Sequence, residues 1–255
     1  MKFRIILIVI MAKNFFLKAH AHPIIIAHRG ASGEAPENTM ASFRLAIQQD
    51  TDAIELDVQR AKDGRLVVMH DPFLGRTNDG KGRLSQKKLH ELRSIDAGSW
   101  FDPQFSKERI PALGDVLDTF KKTTHYVIEL KFYQRDKIGF ARQVYEMVAQ
   151  RGLLESTMFL SFSARILDAI KARDESAVTC LALLPHSLYR RARAAQRHDV
   201  IATSFHSSFL HKRLSKGSQP INCWLGKQLP DDMQSMYADM ITTNWPQATR
   251  DALKI

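Results

Sequence analysis

Histidines and carboxylates end several apolar runs in the first half of the chain, where buried strands would deliver catalytic groups to one site. His28 and His70 each end one such run, and Glu55, Asp57 and Glu129 end two others. Imidazole titrates near neutral pH, so two histidines can share general acid and general base work on one ester. Convergent carboxylates repel one another unless a cation lies between them, and oxygen ligands suit Mg²⁺ or Ca²⁺. This inventory indicates metal-assisted attack on a phosphate ester.

Two basic residues accompany this set. Arg29 follows His28 directly, and Lys131 lies two positions after Glu129. The planar fork of Arg and the point charge of Lys both suit the non-bridging oxygens of a phosphate. The alternative is that these cations neutralise the strand-end carboxylates, which then bind no metal. Phosphate binding and neutralisation can also hold together.

The order of these residues is itself a signature. The chain reads AHRG at 27–30, PENT at 36–39, Glu-x-Asp at 55–57, His-Asp at 70–71 and Glu-x-Lys at 129–131. In this order the motifs resemble those of the glycerophosphodiester phosphodiesterase family, and residues 76–117 resemble its characteristic insertion. Several spaced motifs in the right order are far more specific than any one of them. The resemblance covers roughly residues 23–250, which is nearly the whole chain.

The resemblance implies an α/β fold, a TIM-type (β/α)8 barrel, and a particular reaction. The three carboxylates would hold Mg²⁺ or Ca²⁺, which binds glycerol hydroxyls. Either His28 or His70 would deprotonate the glycerol 2-hydroxyl to attack phosphorus, and the other would protonate the departing alcohol. Water would then open the cyclic phosphate and give glycerol 3-phosphate. Arg29 and Lys131 would bind phosphate, and Trp224 resembles the aromatic residue that flanks the substrate, with core packing as its alternative.

Two other functions remain open on the same scaffold. A lysophospholipase D-type lipid phosphodiesterase would need an apolar channel or a membrane anchor. A catalytically silent binding protein would be expected to have lost a histidine or a carboxylate of the motifs, and none is missing. The sequence does not rank the possible head groups of the substrate, and it does not distinguish Mg²⁺ from Ca²⁺.

The elements that must position these residues alternate between strand and helix patterns from Pro23 onward, which is typical of βαβ units and a parallel sheet. We expect eight strands to close a barrel and the run at 65–70 to pair as an additional arm. The segment at about 71–110 is too long for an ordinary loop and is predicted to form a small cap insertion after the His70 strand. Strands are predicted near 23–28, 53–58, 65–70, 125–130, 157–162, 178–184, 200–205, 220–225 and 239–243, and helices over 37–49, 110–122, 137–151, 163–173, 187–197 and 207–216.

Two further segments bear on the shape of the site. Glu37 and Asn38 of the PENT motif are expected to cap the first helix and to brace the catalytic residues. The C-terminal third departs from the family pattern, with WLGK at 224–227 and ITTNWP at 241–246. We expect these departures to alter the leaving-group side of the pocket and to touch none of the metal-binding or acid–base residues.

Length and composition predict one barrel domain, residues 22–255, preceded by a leader or possible signal segment at 1–21. A short apolar run with basic residues before it, followed by Ala19-His20-Ala21, resembles a secretory signal, but Lys13 directly after so short an apolar run is unusual. We therefore exclude 1–21 from the barrel and expect a chain that begins at Ala21 to fold. The expected location is cytoplasmic, or periplasmic or secreted if the leader is a signal peptide.

The formal net charge is +10, and basic residues crowd positions 186–216. A solvated helix face is the favoured interpretation, ahead of attraction to anionic substrates or lipid surfaces. No recognisable module indicates nucleic-acid binding, and no run approaches the ~18 apolar residues of a membrane span. The expected partner is a small glycerophosphodiester, without nucleic acid or stable membrane insertion, and the oligomeric state is open. Cys180 and Cys223 lie inside apolar runs and are expected to be buried thiols.

Overall fold

Parallel strands form a closed barrel in the computed structural model, which describes residues 14–183, 194–204, 219–226, 229, 233 and 238–255. Both faces of the barrel strands are covered, so nearly all of their residues are buried and apolar side chains do not simply alternate with exposed polar ones. In chain order the strands are β1 (Ile24–Ala27), β2 (Ala53–Arg60), β3 (Leu66–Val68), β4 (His125–Leu130), β5 (Thr157–Ser161), β6 (Val178–Leu183), β7 (Val200–Ser204), β8 (Ile221–Trp224) and β9 (Met240–Thr243).

Closure of the barrel occurs at the first strand. β1 pairs in parallel with β9, where Ile24 lies opposite Met240, and also with β2, where Ile26 lies opposite Ala53. The remaining parallel pairs run in order from β9 back to β4 and β2, while β3 pairs antiparallel with β2 alone. Eight strands therefore close the barrel and β3 is an additional arm, which confirms the predicted TIM-type fold.

Helices pack around the outside of the barrel. Apolar side chains of the helices, among them Phe43 and Phe140, pack against the outward side chains Ile54, Leu56 and Ile128 of the strands. The predicted helices 187–197 and 207–216 lie largely or wholly outside the described residues. The others are present with shifted ends. The short helix Leu89–Leu92 and the last helix were not predicted, although a proline at the first position of the last helix is a common start signal. In chain order they are α1 (Met40–Gln48), α2 (Leu89–Leu92), α3 (Leu113–Phe120), α4 (Lys137–Ala149), α5 (Ala164–Arg173) and α6 (Pro246–Leu253).

The start of α1 corrects one expectation. Glu37 and Asn38 do not cap this helix, because Thr39 does: its side-chain oxygen accepts from the backbone N–H of Ser42, and Ser42 Oγ accepts from the Thr39 N–H. Asn38 instead adopts a left-handed backbone conformation, with a φ of 59°. This conformation directs the chain out of the preceding loop and into the helix.

The predicted cap insertion is folded and packs next to the β3 arm. It contains α2 and two short 3₁₀ turns, Leu84–Gln86 and Pro103–Phe105. A small apolar cluster of its own, separate from the barrel core, joins it to the arm. The cluster comprises Ala61, Val67, Met69, Leu74, Leu84, Leu92, Ala97 and Ile110.

Residues 14–17, which precede the first strand, pack on the barrel, contrary to the exclusion of this part of 1–21 from the domain. Residues Phe15–Leu17 form a 3₁₀ turn, and Asn14 Nδ2 donates hydrogen bonds to the carbonyls of Leu154 and Thr157. Phe16 is 1% exposed and packs among side chains from the first residues of the barrel strands, such as Val178 and Met240. Phe16 therefore fills the N-terminal end of the barrel interior, and the domain begins no later than Asn14.

Phe16→Ala is expected to lower the free energy of unfolding by about 3 to 5 kcal/mol, because it empties a packed position of the core. A denaturant titration measures this loss, with Phe73→Ala as the control, since Phe73 is 50% exposed and the same deletion there leaves no cavity. A chain that begins at Ala21 should show a loss at least as large. A change of less than about 1 kcal/mol for Phe16→Ala would contradict a core role.

The burial of the two cysteines and the absence of an apolar membrane span were also predicted from the sequence. Cys180 and Cys223 are both free thiols and fully buried, as expected, and burial raises the pKa of Cys223 to about 12. Within the described residues, no helix combines the length and the apolar composition that crossing a bilayer requires. Most of the basic segment 186–216 lies outside the described residues.

Candidate active site

Most of the predicted site residues lie toward the C-terminal ends of the barrel strands, and His70, which follows the β3 arm, lines the same cavity. β2 and β4 are in register so that Asp57 lies opposite Glu129, with Glu55 two residues earlier on the same face of β2. His28 directly follows β1, and its backbone N–H donates to Thr243 at the end of β9. Parallel strands place their carboxyl ends on one rim, which is why residues far apart in sequence come together here.

The three carboxylates form a compact buried group. One oxygen from each of Glu55, Asp57 and Glu129 lies within 4.8 Å of the others, and all three side chains are buried. Burial, and then the neighbouring charges of Asp57 and Glu129, raise the pKa of Glu55 well above its ordinary value. A divalent cation would relieve this repulsion, so the donor set matches a hard metal ion such as Mg²⁺ or Ca²⁺.

Lys131 contacts the carboxylates directly. Its Nζ lies 2.6 Å from Asp57 Oδ1 and 2.7 Å from Glu129 Oε1, and the side chain is 4% exposed. Burial alone would raise the pKa of Asp57, but Lys131 and Arg29 outweigh it and hold that carboxyl ionised. Neutralisation is therefore the role of Lys131 that its contacts support, and its contact with phosphate stays a prediction.

Arg29 is fixed at both its backbone and its side chain. It has a left-handed backbone conformation, with a φ of 56°, which costs a non-glycine residue about 1 to 2 kcal/mol. That conformation directs its N–H to Glu55 Oε2 at 2.8 Å. The guanidinium reaches Asp57 Oδ2 at 3.1 Å and Glu37 Oε1 at 2.9 Å. Gly30 must follow, because its φ is +81° and a side chain there would lie 2.5 Å from Ser42 Oγ.

Each histidine is held through its Nδ1 atom. His28 Nδ1 lies 2.7 Å from Asn244 Oδ1, and His70 Nδ1 lies 2.6 Å from Asp71 Oδ1. These contacts leave Nε2 of both rings for proton transfer. Burial, and then the charge of Arg29, lower the pKa of His28 to about 3, so this ring is neutral at pH 7.

The cavity next to these groups has a polar side and an apolar side. Trp224 is 40% exposed, and its ring centroid is 5.5 Å from that of His28, so core packing is wrong as its role. The wall across from the catalytic groups is built from the ends of β5, β6 and β7. Its apolar members are Leu160, Phe162, Ala182, Leu183 and Ala202.

Several contacts of the site residues were not predicted. Asn244 belongs to the divergent ITTNWP segment, so the expectation that this departure touches no acid–base residue is wrong. Its position directly after β9 is the signal that would have identified it, since His28, Glu129 and Lys131 also lie at or just after the ends of barrel strands. The bracing expected of the PENT motif is confirmed, because Asn38 Nδ2 donates to Asp57 Oδ2 at 2.7 Å and Glu37 binds Arg29.

A (β/α)8 barrel whose rim brings paired imidazoles to a buried acidic group defines a hydrolase site suited to phosphate esters. The family model for the glycerophosphoryl diester phosphodiesterase family matches residues 28–224, so the chain belongs to that family.

Individual relatives cover most of the chain. The Bacillus subtilis protein YhdW is 35% identical over 230 residues, which is 87% of this chain and 94% of YhdW. A glycerophosphodiester phosphodiesterase from Caldanaerobacter subterraneus is 37% identical over 149 residues, 58% of this chain and 61% of that protein. Among solved structures, an Oleispira antarctica phosphodiesterase in complex with the product sn-glycerol-3-phosphate superposes with a TM-score of 0.80 at 26% identity, covering 91% of this chain and 97% of its own.

Proposed function

We propose that this protein hydrolyses glycerophosphodiesters to glycerol 3-phosphate and an alcohol, and that it requires Mg²⁺ or Ca²⁺. The observation that carries the proposal is the convergence of two Nδ1-anchored histidines beside a buried group of three carboxylates. Family membership and the product bound to the Oleispira relative support the same reaction. All residues proposed for catalysis are retained, which argues against a silent binding protein.

The chemistry follows from the orientation of the side chains. Nε2 of one histidine accepts the proton of the glycerol 2-hydroxyl while that oxygen attacks phosphorus, and Nε2 of the other protonates the alcohol oxygen as its bond to phosphorus breaks. Water then opens the cyclic phosphate to glycerol 3-phosphate. Arg29 binds a non-bridging phosphate oxygen through its guanidinium. Trp224 flanks the substrate next to His28.

The residues that would hold the metal are Glu55, Asp57 and Glu129. When bound there, a divalent cation would neutralise the carboxylates, bind glycerol hydroxyls and stabilise negative charge on the phosphate. Asn38 and Arg29 contact Asp57 Oδ2, whereas Lys131 contacts its Oδ1, so at least one ligand is oriented in advance.

The test is a coupled assay of glycerol 3-phosphate release. Glycerophosphocholine, -ethanolamine, -glycerol and -inositol are compared with Mg²⁺ and with Ca²⁺, and we expect turnover of at least one ester with one of the metals. Absence of turnover for every combination, with a folded protein, would contradict the proposal.

The apolar wall of the cavity favours one second candidate, a lysophospholipase D-type lipid phosphodiesterase. Leu160, Phe162 and Leu183 offer no charged group to a polar head group, and they could accommodate part of an acyl chain. Choline release from lysophosphatidylcholine, compared with release from glycerophosphocholine under the same conditions, separates the two. A higher kcat/KM for the lipid would favour the second candidate.

A further inference from the structure

We propose that Arg76, which lies in the cap insertion, is a positioning residue that orients His70 and Arg29 at the same time. Its guanidinium lies between two carboxylates, Asp71 and Glu37, and each of these binds one of the two site residues. The inference deepens the proposed function, because it assigns to the insertion a part in assembling the site for that reaction. Arg76 itself is 48% exposed at its side chain and acts on the site residues through these two carboxylates.

The first branch runs to His70. Arg76 Nε donates to Asp71 Oδ2 at 2.5 Å, and the other oxygen of the same carboxylate, Oδ1, lies 2.6 Å from His70 Nδ1. With one oxygen bound to Arg76, the Asp71 side chain cannot rotate without breaking an ion pair. The carboxylate therefore fixes the direction of the imidazole ring and the tautomer in which Nδ1 carries the proton.

The second branch runs to Arg29. Arg76 Nη2 and Nη1 donate to Glu37 Oε1 and Oε2 at 2.7 and 3.0 Å, a two-bond contact between guanidinium and carboxylate. Glu37 Oε1 also accepts from Arg29 Nη1 at 2.9 Å. Three nitrogens of one planar group thus bind two carboxylates in fixed directions, which a lysine ammonium on a flexible stem cannot reproduce.

The insertion presents Arg76 on a rigid turn. Gly75 has a φ of +118°, a conformation that side-chain-bearing residues rarely adopt. Asn78 is 6% exposed, and its Oδ1 accepts from the N–H groups of both Gly75 and Gly80 at 3.1 Å. Because this turn is closed by hydrogen bonds to the buried side chain of Asn78, Arg76 is held in place before a substrate arrives.

The kinetic test uses three variants of the full chain. Arg76→Met should lower kcat/KM for the assay substrate by about 10- to 100-fold, because the His70 ring and the Arg29 guanidinium lose their fixed directions. Tm should change little, since the core is intact. Arg76→Lys should recover only part of this loss. Arg93→Met is the matched control, since Arg93 lies in the same insertion, is also 48% exposed and pairs with Asp115 away from the site. It should keep parental activity.

Dependence on the two carboxylates distinguishes positioning from a purely structural role. In a background carrying both Glu37→Gln and Asp71→Asn, Arg76→Met should change kcat/KM by less than about threefold, because its partners are already neutral. If Arg76→Met costs its full factor in that background, the proposed branches are wrong.

A readout that needs no activity keeps the inference separate from the proposed function. In ¹⁵N-histidine NMR spectra, the parent should show His70 in one tautomer with the proton on Nδ1. Arg76→Met should shift both ring nitrogens toward a mixture of tautomers, and Arg93→Met should not. Unchanged His70 signals in Arg76→Met and Arg76→Lys would overturn the positioning role, whether or not the protein hydrolyses glycerophosphodiesters.

Discussion

His28→Ala and His70→Ala are each expected to lower kcat for glycerophosphocholine by about 10² to 10⁴, the usual contribution of a positioned acid or base. Both rings are anchored through Nδ1, so each offers one nitrogen, Nε2, to the same ester. Because the two act as a unit, the double variant should cost much less than the product of the single losses. Folding should survive in all three, since both side chains lie at the cavity and are only partly buried, 13% exposed for His28 and 35% for His70.

The leaving group separates the two roles. The p-nitrophenolate released from a p-nitrophenyl ester departs without a proton, so this substrate should rescue the variant that lacks the acid more than the variant that lacks the base. The pH profile of kcat/KM should be bell-shaped, and its two limbs belong to the coupled pair rather than to one ring. His90→Ala, an exposed histidine of the insertion, is the control and should keep the parental rate. If His28→Ala or His70→Ala also keeps it, that histidine is structural.

Removal of divalent metal is expected to abolish turnover, and Mg²⁺ or Ca²⁺ should restore it. The physical reason is the buried group of three carboxylates, in which Glu55 has a raised pKa because of burial and of its two acidic neighbours. Protons therefore compete with the metal at Glu55, and the apparent metal affinity should fall as the pH is lowered. Glu129→Gln removes one ionised ligand and should weaken that affinity while the fold is kept.

Titration of metal into the chelated and dialysed protein, followed by activity, measures this affinity at each pH. Glu155→Gln is the matched control, because it is the same change at an exposed position near the start of β5. It should leave metal affinity and kcat unchanged. Full activity in excess chelator after dialysis would exclude a required metal at these carboxylates.

The sequence alone determined the barrel and most of the residues of the candidate site. Each strand is an apolar run that ends in polar residues, and this local pattern identifies both the element and the end of it that faces the site. Once the strands are parallel, their carboxyl ends must share one rim, so His28, Glu55, Asp57 and Glu129 could be placed together without coordinates. The arm followed from the count of nine strand-like runs, of which eight close a barrel, and the insertion followed from segment length; the antiparallel pairing of the arm did not.

Tertiary structure alone decided the contacts between distant segments. Asn244 contacts His28, which is 216 positions away in the sequence, and Arg76 contacts Glu37, which is 39 positions away. These segments have no periodic pattern from which the contacts could be predicted. Phe16 was assigned to a leader because the composition around it resembles a signal segment. Its actual role depends on the space at the N-terminal end of the closed barrel, which local sequence does not show. Loop and terminal residues acquire their partners from the closed barrel, and a hydrophobic period or motif carries no information about that geometry.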